Sequence, residues 1–250
     1  MYRILCSTLV LLFLFSAPVY SGQEIIISAA ASLTDAFTDI KPAFEATHPG
    51  TEVIMNFASS GACFRQIEQG APADIFASAN PKWMAKAVQA KLVTPESETV
   101  FAHNSLVLAV PAANPVGITT LNDLGSDKVT KIGVGTPKTV PAGKYAQQAL
   151  ESLGLWSTFE SKYIFAASVR QVLDYLRRGE IDCGFVYATD AKKGGNAVRT
   201  VQEIALEKPV TYPIGVLATS ENKVMAMEFI HFLTSEQGQN ILTARGFSKK

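Results

Sequence analysis

Four short stretches in this chain place hydroxyls or bare backbone where an apolar run gives way to a helix-like pattern. They are "AAASL" at Ser32, "ASSGA" at Ser60, "VPAG" at Ala142 and "ASVR" at Val169. The first turn of a helix carries N–H groups with no intrahelical partner and the positive end of the helix dipole. Serine adds a hydroxyl donor to that end, while Ala142, Gly143 and Val169 leave the backbone N–H approachable. Facing one cleft, such ends would form a cage of neutral donors for an anion. A lone serine at a helix start is ordinarily only an N-cap, and every α/β protein has several such ends. Spacing alone therefore supports an anion-binding cleft and nothing narrower.

Other chemistries fit less well. A hydrolase built on Ser60 would need a nucleophile elbow, and "ASSGA" lacks the G-x-S-x-G pattern, with His48 in "ATHPG" the nearest histidine. "GVGTPK" begins like a dinucleotide fingerprint but has Lys138 where the third glycine belongs and Pro137 before it, so it reads as a strand-end turn. No Gly-Lys-Ser/Thr phosphate loop occurs, so any ATP-driven step belongs to a partner. His48, His103 and His231 are too widely spaced for a metal motif, and no direct metal ligand or cofactor is expected. Lys+Arg 22 against Asp+Glu 22 leaves no net charge, which argues against a nucleic-acid partner. Lys138 and Lys144 are candidates for steering an anion, with a solvated face the plainer reading, and Tyr145 reads as buried.

These junctions need strands and helices to hold them. "EIIIS" (24–28) and "TEVIMNF" (51–57) read as strands. Between them Leu33, Phe37, Ile40 and Phe44 fall on one helical face. Ser32 with Asp35 resembles a capping box, and Pro42 should kink this helix or split off its last turns. A second helix is expected over Gly61–Gln69, closed by Gly70. Asn80 followed by Pro81 is a strong start for a third. "NSLVLAVP" (104–111) leads into a second unit that repeats the pattern: strand "KIGVG", helix from "VPAG" to Gly154, and a strand near Tyr163. A helix follows from N-cap Ser168 to the stop at Gly179, then a strand ending at Tyr187. Tyr187 stands at that strand's carboxyl end, and Asp190 is placed to orient the loop by an Asx-type bond. "TYPIGVLA" (211–218) leads back, and a helical C-terminus, 223–245, ends the chain. Strands alternating with helices imply mostly parallel sheets flanked by helices, here in two lobes of about 100 residues each.

The segment "MYRILCSTLVLLFLFSAPVYSG" reads as a secretory signal peptide, residues 1–21, cut after Ser21 or Gly22. Its apolar run is too short to span a bilayer, so the mature chain is expected to be soluble and exported, with no stable membrane insertion. Cys63 and Cys183 remain, each in an apolar pattern, and both are read as free thiols although export permits pairing.

Seven stretches resemble, in order and over nearly the whole mature chain, the periplasmic molybdate-binding proteins of ABC importers. They are "AAASLTDAF", "FASSG…RQIEQGAPADIFASANPKWM", "NSLVLAVP", "VPAGKYAQQAL", "VRQVL", "FVYATDA" and "YPIGVLA". The resemblance implies a two-lobed type II periplasmic binding-protein fold, not an enzyme, with molybdate or tungstate between the lobes. The family's oxyanion donors fall here on Ser32, Ser60, Ala142, Val169 and Tyr187. It further implies a periplasmic monomer that delivers its ion to a permease with an ATPase subunit. Lobe 1 is expected over 22–103 plus 214–250 and lobe 2 over 104–213, with hinges near 103–105 and 211–213. Cys63 departs from the leucine common in relatives, which bears on the packing of its helix rather than on the donors. Sulfate or phosphate is the alternative ligand. A larger ring of donors would hold sulfate loosely, and a protonated phosphate needs an acceptor that a donor-only ring lacks.

Overall fold

The computed structural model describes residues 22–249, so the signal-peptide expectation lies outside the described residues. Two five-stranded sheets organise them. The first contains β1 (Gln23–Ala30), β2 (Thr51–Ala58), β3 (Ile75–Ala77), β4 (Thr99–Asn104) and β10 (Val210–Val216), in the order β2-β1-β3-β10-β4. The second contains β5 (Leu106–Pro111), β6 (Ile132–Gly135), β7 (Tyr163–Ala166), β8 (Cys183–Tyr187) and β9 (Val198–Glu203), in the order β7-β6-β8-β5-β9. In each, three strands run parallel, and the strand entering from the other sheet lies antiparallel beside the third. The chain crosses at Ser105 and returns within 204–209, so β10, including Thr211–Pro213, pairs wholly in the first sheet.

Helices cover both sheets because their apolar residues recur on one face. Helix α1 (Thr34–Thr47) buries Ala36, Phe37, Ile40 and Phe44. Phe44 and Phe37 meet Phe229 of α7 (Lys223–Thr234) edge-on, with ring centroids 5.1 and 5.9 Å apart. Pro42 does not divide α1: it is exposed, and so is Thr38, whose carbonyl it cannot serve and which water can reach. Helix α2 (Ser60–Glu68) ends before Gly70, which takes φ +87°. Helix α3 (Pro81–Gln89) is capped by the Asn80 side chain, which accepts from Trp83 N–H. Helix α4 (Pro141–Ser152) begins at "VPAG".

Helix α5 (Val169–Arg178) is capped by Ser168 and stops at left-handed Gly179. A short helix, α6 (Ala188–Gly194), follows β8 directly. The expected helical C-terminus forms as two helices, α7 and α8 (Glu236–Ala244), because Ser235 is extended and caps the second. Its hydroxyl accepts from Gly238 N–H and donates to the Phe232 carbonyl. Cys63 and Cys183 are buried free thiols, Cys63 donating to the Ala29 carbonyl at 3.4 Å.

Candidate functional site

The five expected site residues occupy five strand ends. Ser32 follows β1, Ser60 follows β2, Ala142 lies beyond β6, Val169 beyond β7, and Tyr187 closes β8. In an open α/β sheet these carboxyl ends border the crevice where ligands bind. Here the crevices of the two sheets face each other and are shut. All five residues are at most 4 % exposed. Gly61 N–H of α2 donates to the Thr139 carbonyl at 3.0 Å, across the seam. Tyr187 Oη lies 3.5 Å from the Ala79 carbonyl, and Ala79 N–H donates to Ser60 Oγ at 3.0 Å. Tyr187 also meets Tyr212 of β10 edge-on at 5.9 Å, and Tyr212 Oη donates to Ser32 Oγ at 3.1 Å. Ser32, Tyr212, Tyr187, Ala79 and Ser60 are thus one connected cluster.

The hydrogen-bond pattern gives the cluster its polarity. Among the described residues, the backbone N–H groups of Ser32, Ser60, Ala142 and Val169 find no acceptor, although all four residues are buried. Buried N–H groups without partners are rare, because each forfeits its bond to water. Each lies in the first turn of a helix, where the dipole is positive. The two serine hydroxyls each already accept one hydrogen bond, from Tyr212 and from Ala79 N–H, so each has its own proton left to donate. Burial pushes the Tyr187 phenol well above its ordinary value, which keeps it protonated and a donor. The cluster is a set of neutral donors from both sheets.

Ser32 is not the N-cap its spacing with Asp35 suggested. A 3-10 turn, Ala31–Leu33, intervenes before α1, no side chain caps it, and the Ser32 hydroxyl meets Tyr212 instead. Asp35 is left to pair with cations of the other lobe, namely Lys193 at 2.7 Å and Arg170, whose Nη1 it accepts. Arg170, the residue after Val169, also donates to the Ser32 carbonyl at 3.2 Å and stands 2.7 Å from the fully buried Asp190. Burial pushes the Asp190 carboxyl up to about 6, against the pull of Arg170. Burial also acts on Asp35, but the hydrogen bonds from Lys193 and Arg170 outweigh it and hold that carboxyl below its ordinary value. Asp190 accepts from Tyr187 N–H at 3.3 Å, the loop bond expected of it.

Arg170, Tyr212 and Asn104, all in contact with this region, were not singled out from the sequence. "VRQVL" and "YPIGVLA" contain the first two, but nothing local marks which side chain reaches the seam. Lys138 and Lys144 line an open groove with Lys82, Trp156 and Phe165 instead. Tyr145 is half-buried, its phenol pushed up to about 12 by burial. Among the described residues no group of three His, Cys, Asp or Glu side chains could hold a metal ion. No helix among them is long and apolar enough to cross a membrane.

Residues 25–248 match the model of the bacterial extracellular solute-binding proteins. Molybdate-binding protein ModA of Haemophilus influenzae is 36% identical over 235 residues, 92% of each chain. ModA of Escherichia coli is 37% identical, covering 91% of this chain and 90% of that one. Among solved structures, the substrate-binding domain of a putative molybdenum ABC transporter from Clostridium difficile superposes with TM-score 0.69 at 37% identity, over 91% of this chain and 99% of the other. The sulfate-binding protein SubI of Mycobacterium tuberculosis shares the fold at TM-score 0.79 and 21% identity, over 91% of this chain and 87% of its own. The chain belongs to the family of bacterial extracellular solute-binding proteins.

Proposed function

We propose that this chain is the molybdate-binding protein of an ABC importer: it captures the oxyanion outside the cytoplasm and delivers it to a membrane permease driven by an ATPase subunit. The observation that carries the reading is the set of four unpaired helix-start N–H groups on buried residues from both sheets, at Ser32, Ser60, Ala142 and Val169. Two serine hydroxyls join them with their protons available, as does the Tyr187 phenol, whose proton makes only a long 3.5 Å contact to the Ala79 carbonyl. A tetrahedral dianion accepts at every oxygen and matches a set that only donates. Fixed neutral donors hold it without a lysine or arginine, because they need little reorganisation and a dry seam strengthens them. The 36–37% identity to two ModA proteins supports molybdate as the ion. Tungstate has the same charge and shape and is proposed as a second ligand. The chain acts as a periplasmic monomer and catalyses no reaction.

The lobes close on the ion about the two crossings, at Ser105 and within 204–209. Closure makes the Gly61–Thr139 and Tyr187–Ala79 contacts and presents one joined face to the permease. Calorimetric titration of the mature protein with molybdate, tungstate, sulfate and phosphate tests the assignment. The expected result is micromolar or tighter binding of molybdate and tungstate, about −8 kcal/mol or better, with little heat from the other two. Tight sulfate or phosphate binding with neither metal oxyanion bound would reassign the ion.

A further inference from the structure

Asn104 is the last residue of β4, immediately before the chain crosses to the second sheet. Its side-chain orientation is fixed by its neighbour: Ser105 N–H can only donate, and it donates to Asn104 Oδ1 at 2.9 Å. The amide nitrogen must therefore face the other way. It lies 2.9 Å from Thr189 Oγ1 in the second lobe and 3.2 Å from Tyr212 Oη in the first. Its two hydrogens supply both contacts, and the phenol oxygen is an acceptor towards Asn104.

Tyr212 has one proton, and the remaining contact of its oxygen is Ser32 Oγ at 3.1 Å. Burial pushes this phenol far above its ordinary value, so the proton stays on. Ser32 Oγ must then accept from Tyr212, and the serine's own proton points elsewhere, with no protein acceptor among the described residues. The three side chains are each at least nine-tenths buried, so water does not rearrange the pattern.

We infer that Asn104 and Tyr212 form a relay that locks Ser32 as a donor towards the ligand, and that the lock helps the site refuse oxyanions that carry a proton. Neither residue touches the ion; both are positioning residues. A serine free to turn can either donate or accept, and one that accepts can satisfy the proton of hydrogen phosphate. The bond from Tyr212 occupies one of the two lone pairs of Ser32 Oγ and leaves its proton unspent, which biases the hydroxyl towards donating, as Ala79 N–H does at Ser60. The relay is assembled from β4, β10 and, through Thr189, the second lobe, so the polarity of the site is set where the lobes join.

The inference rests on the oxyanion reading above, and its test separates the two. Dissociation constants for molybdate and phosphate are measured for the wild type, Tyr212→Phe, Ser32→Ala and the double variant. Tyr212→Phe is expected to weaken molybdate roughly tenfold, in the range of one hydrogen bond to a charged group, while phosphate weakens less or tightens. In the Ser32→Ala background the same change should have little further effect, because its action runs through that hydroxyl. Asn104→Leu, which removes the amide that turns the phenol, should give a smaller loss of about two- to fivefold with the same dependence on Ser32. It serves as the second cycle should Tyr212→Phe not fold.

Losses that simply add in the double variants, or an unchanged ratio of molybdate to phosphate affinity in both single variants, would overturn the relay. Failure of the oxyanion reading shows earlier, in the wild type. A protein that binds sulfate best takes the same cycles with sulfate against phosphate. One that binds none of the three ions overturns both.

Discussion

Two polar clusters lie side by side in the seam, and they are built on opposite rules. The expected donors, Ser32, Ser60 and Tyr187 with the helix starts at Ala142 and Val169, contain no formal charge. The cluster one residue away, Asp35, Arg170, Asp190 and Lys193, contains nothing else, and its four charges sum to zero. Charge is thus kept off the surroundings of the proposed ligand and paired within its own cluster, tying α1 of one lobe to α5 and α6 of the other. Dipoles fixed by helix starts can meet a dianion with no counter-charge left behind when it leaves. A lysine or arginine in that place would be a buried, unpaired cation in the empty protein, at a cost of several kcal/mol.

Variants in the two clusters should therefore fail differently. The largest effect is expected from Arg170→Met. It leaves Asp190 buried beside no cation, and loss of one partner of a buried pair costs about 3–5 kcal/mol. The expected readout is a melting temperature several degrees lower in protein without ligand, and an unchanged melt would break the contrast. Ser60→Ala comes next and acts on both quantities. Loss of one donor to a dianion should weaken molybdate by about 1.5–3 kcal/mol, roughly ten- to a hundredfold. Ala79 N–H also loses its acceptor inside the fold, which costs about 1–3 kcal/mol of stability. Tyr187→Phe sharpens the comparison: among the described residues its hydroxyl makes only the long bond to Ala79 O, and the ring is kept, so affinity should fall similarly with little change in melting.

Smaller still is the expected effect of Gly61→Ala. A methyl there would lie 2.6 Å from the Thr139 carbonyl oxygen and 2.6 Å from Trp83 Cζ2. The lobes should then stop short of full closure, seen as a larger scattering radius with molybdate present; a radius equal to the wild type's would refute the contact's role. The smallest is a pH effect. Asp190 rises from 3.8 to about 6 on folding, so between those values the folded chain holds a proton that the unfolded chain has lost. Its contribution to stability is fully present at the low end of that window and declines as pH rises through about 6. Asp35 has the opposite sign: its contribution is present above the ordinary aspartate range and is lost as pH falls through its lowered folded value. Asp190→Asn should flatten the decline in melting temperature between about pH 4 and 6, and an identical profile would contradict the burial argument.

Local signals were readable in the sequence. Asn80-Pro81 and the Ser168 to Gly179 span became helix boundaries because caps act within four residues. The four strand-to-helix junctions at Ser32, Ser60, Ala142 and Val169 were legible from apolar runs meeting small or hydroxyl residues. What stayed hidden depends on partners far along the chain. Tyr212 reaches Ser32 across 180 positions and Asn104 across 108, and no window in the sequence contains both ends. The Ser32–Asp35 box misled because one 3-10 turn turned Ser32 into the seam, where tertiary partners outweighed a local cap. Edge strands β4 and β9 went unread: "VRTVQE" exposes or half-exposes five of its six residues and lacks a clear apolar alternation.

The central claim is that uncharged donors from both lobes surround one tetrahedral ion. Crystals of the mature protein grown with molybdate, with diffraction recorded at the molybdenum absorption edge, test it most directly. The account predicts a single anomalous peak within hydrogen-bonding distance of the Ser32 and Ser60 hydroxyls, the Ala142 and Val169 amides and the Tyr187 phenol. A peak between Arg170 and Lys193, or a molybdenum atom bonded directly to a protein side chain, would contradict it.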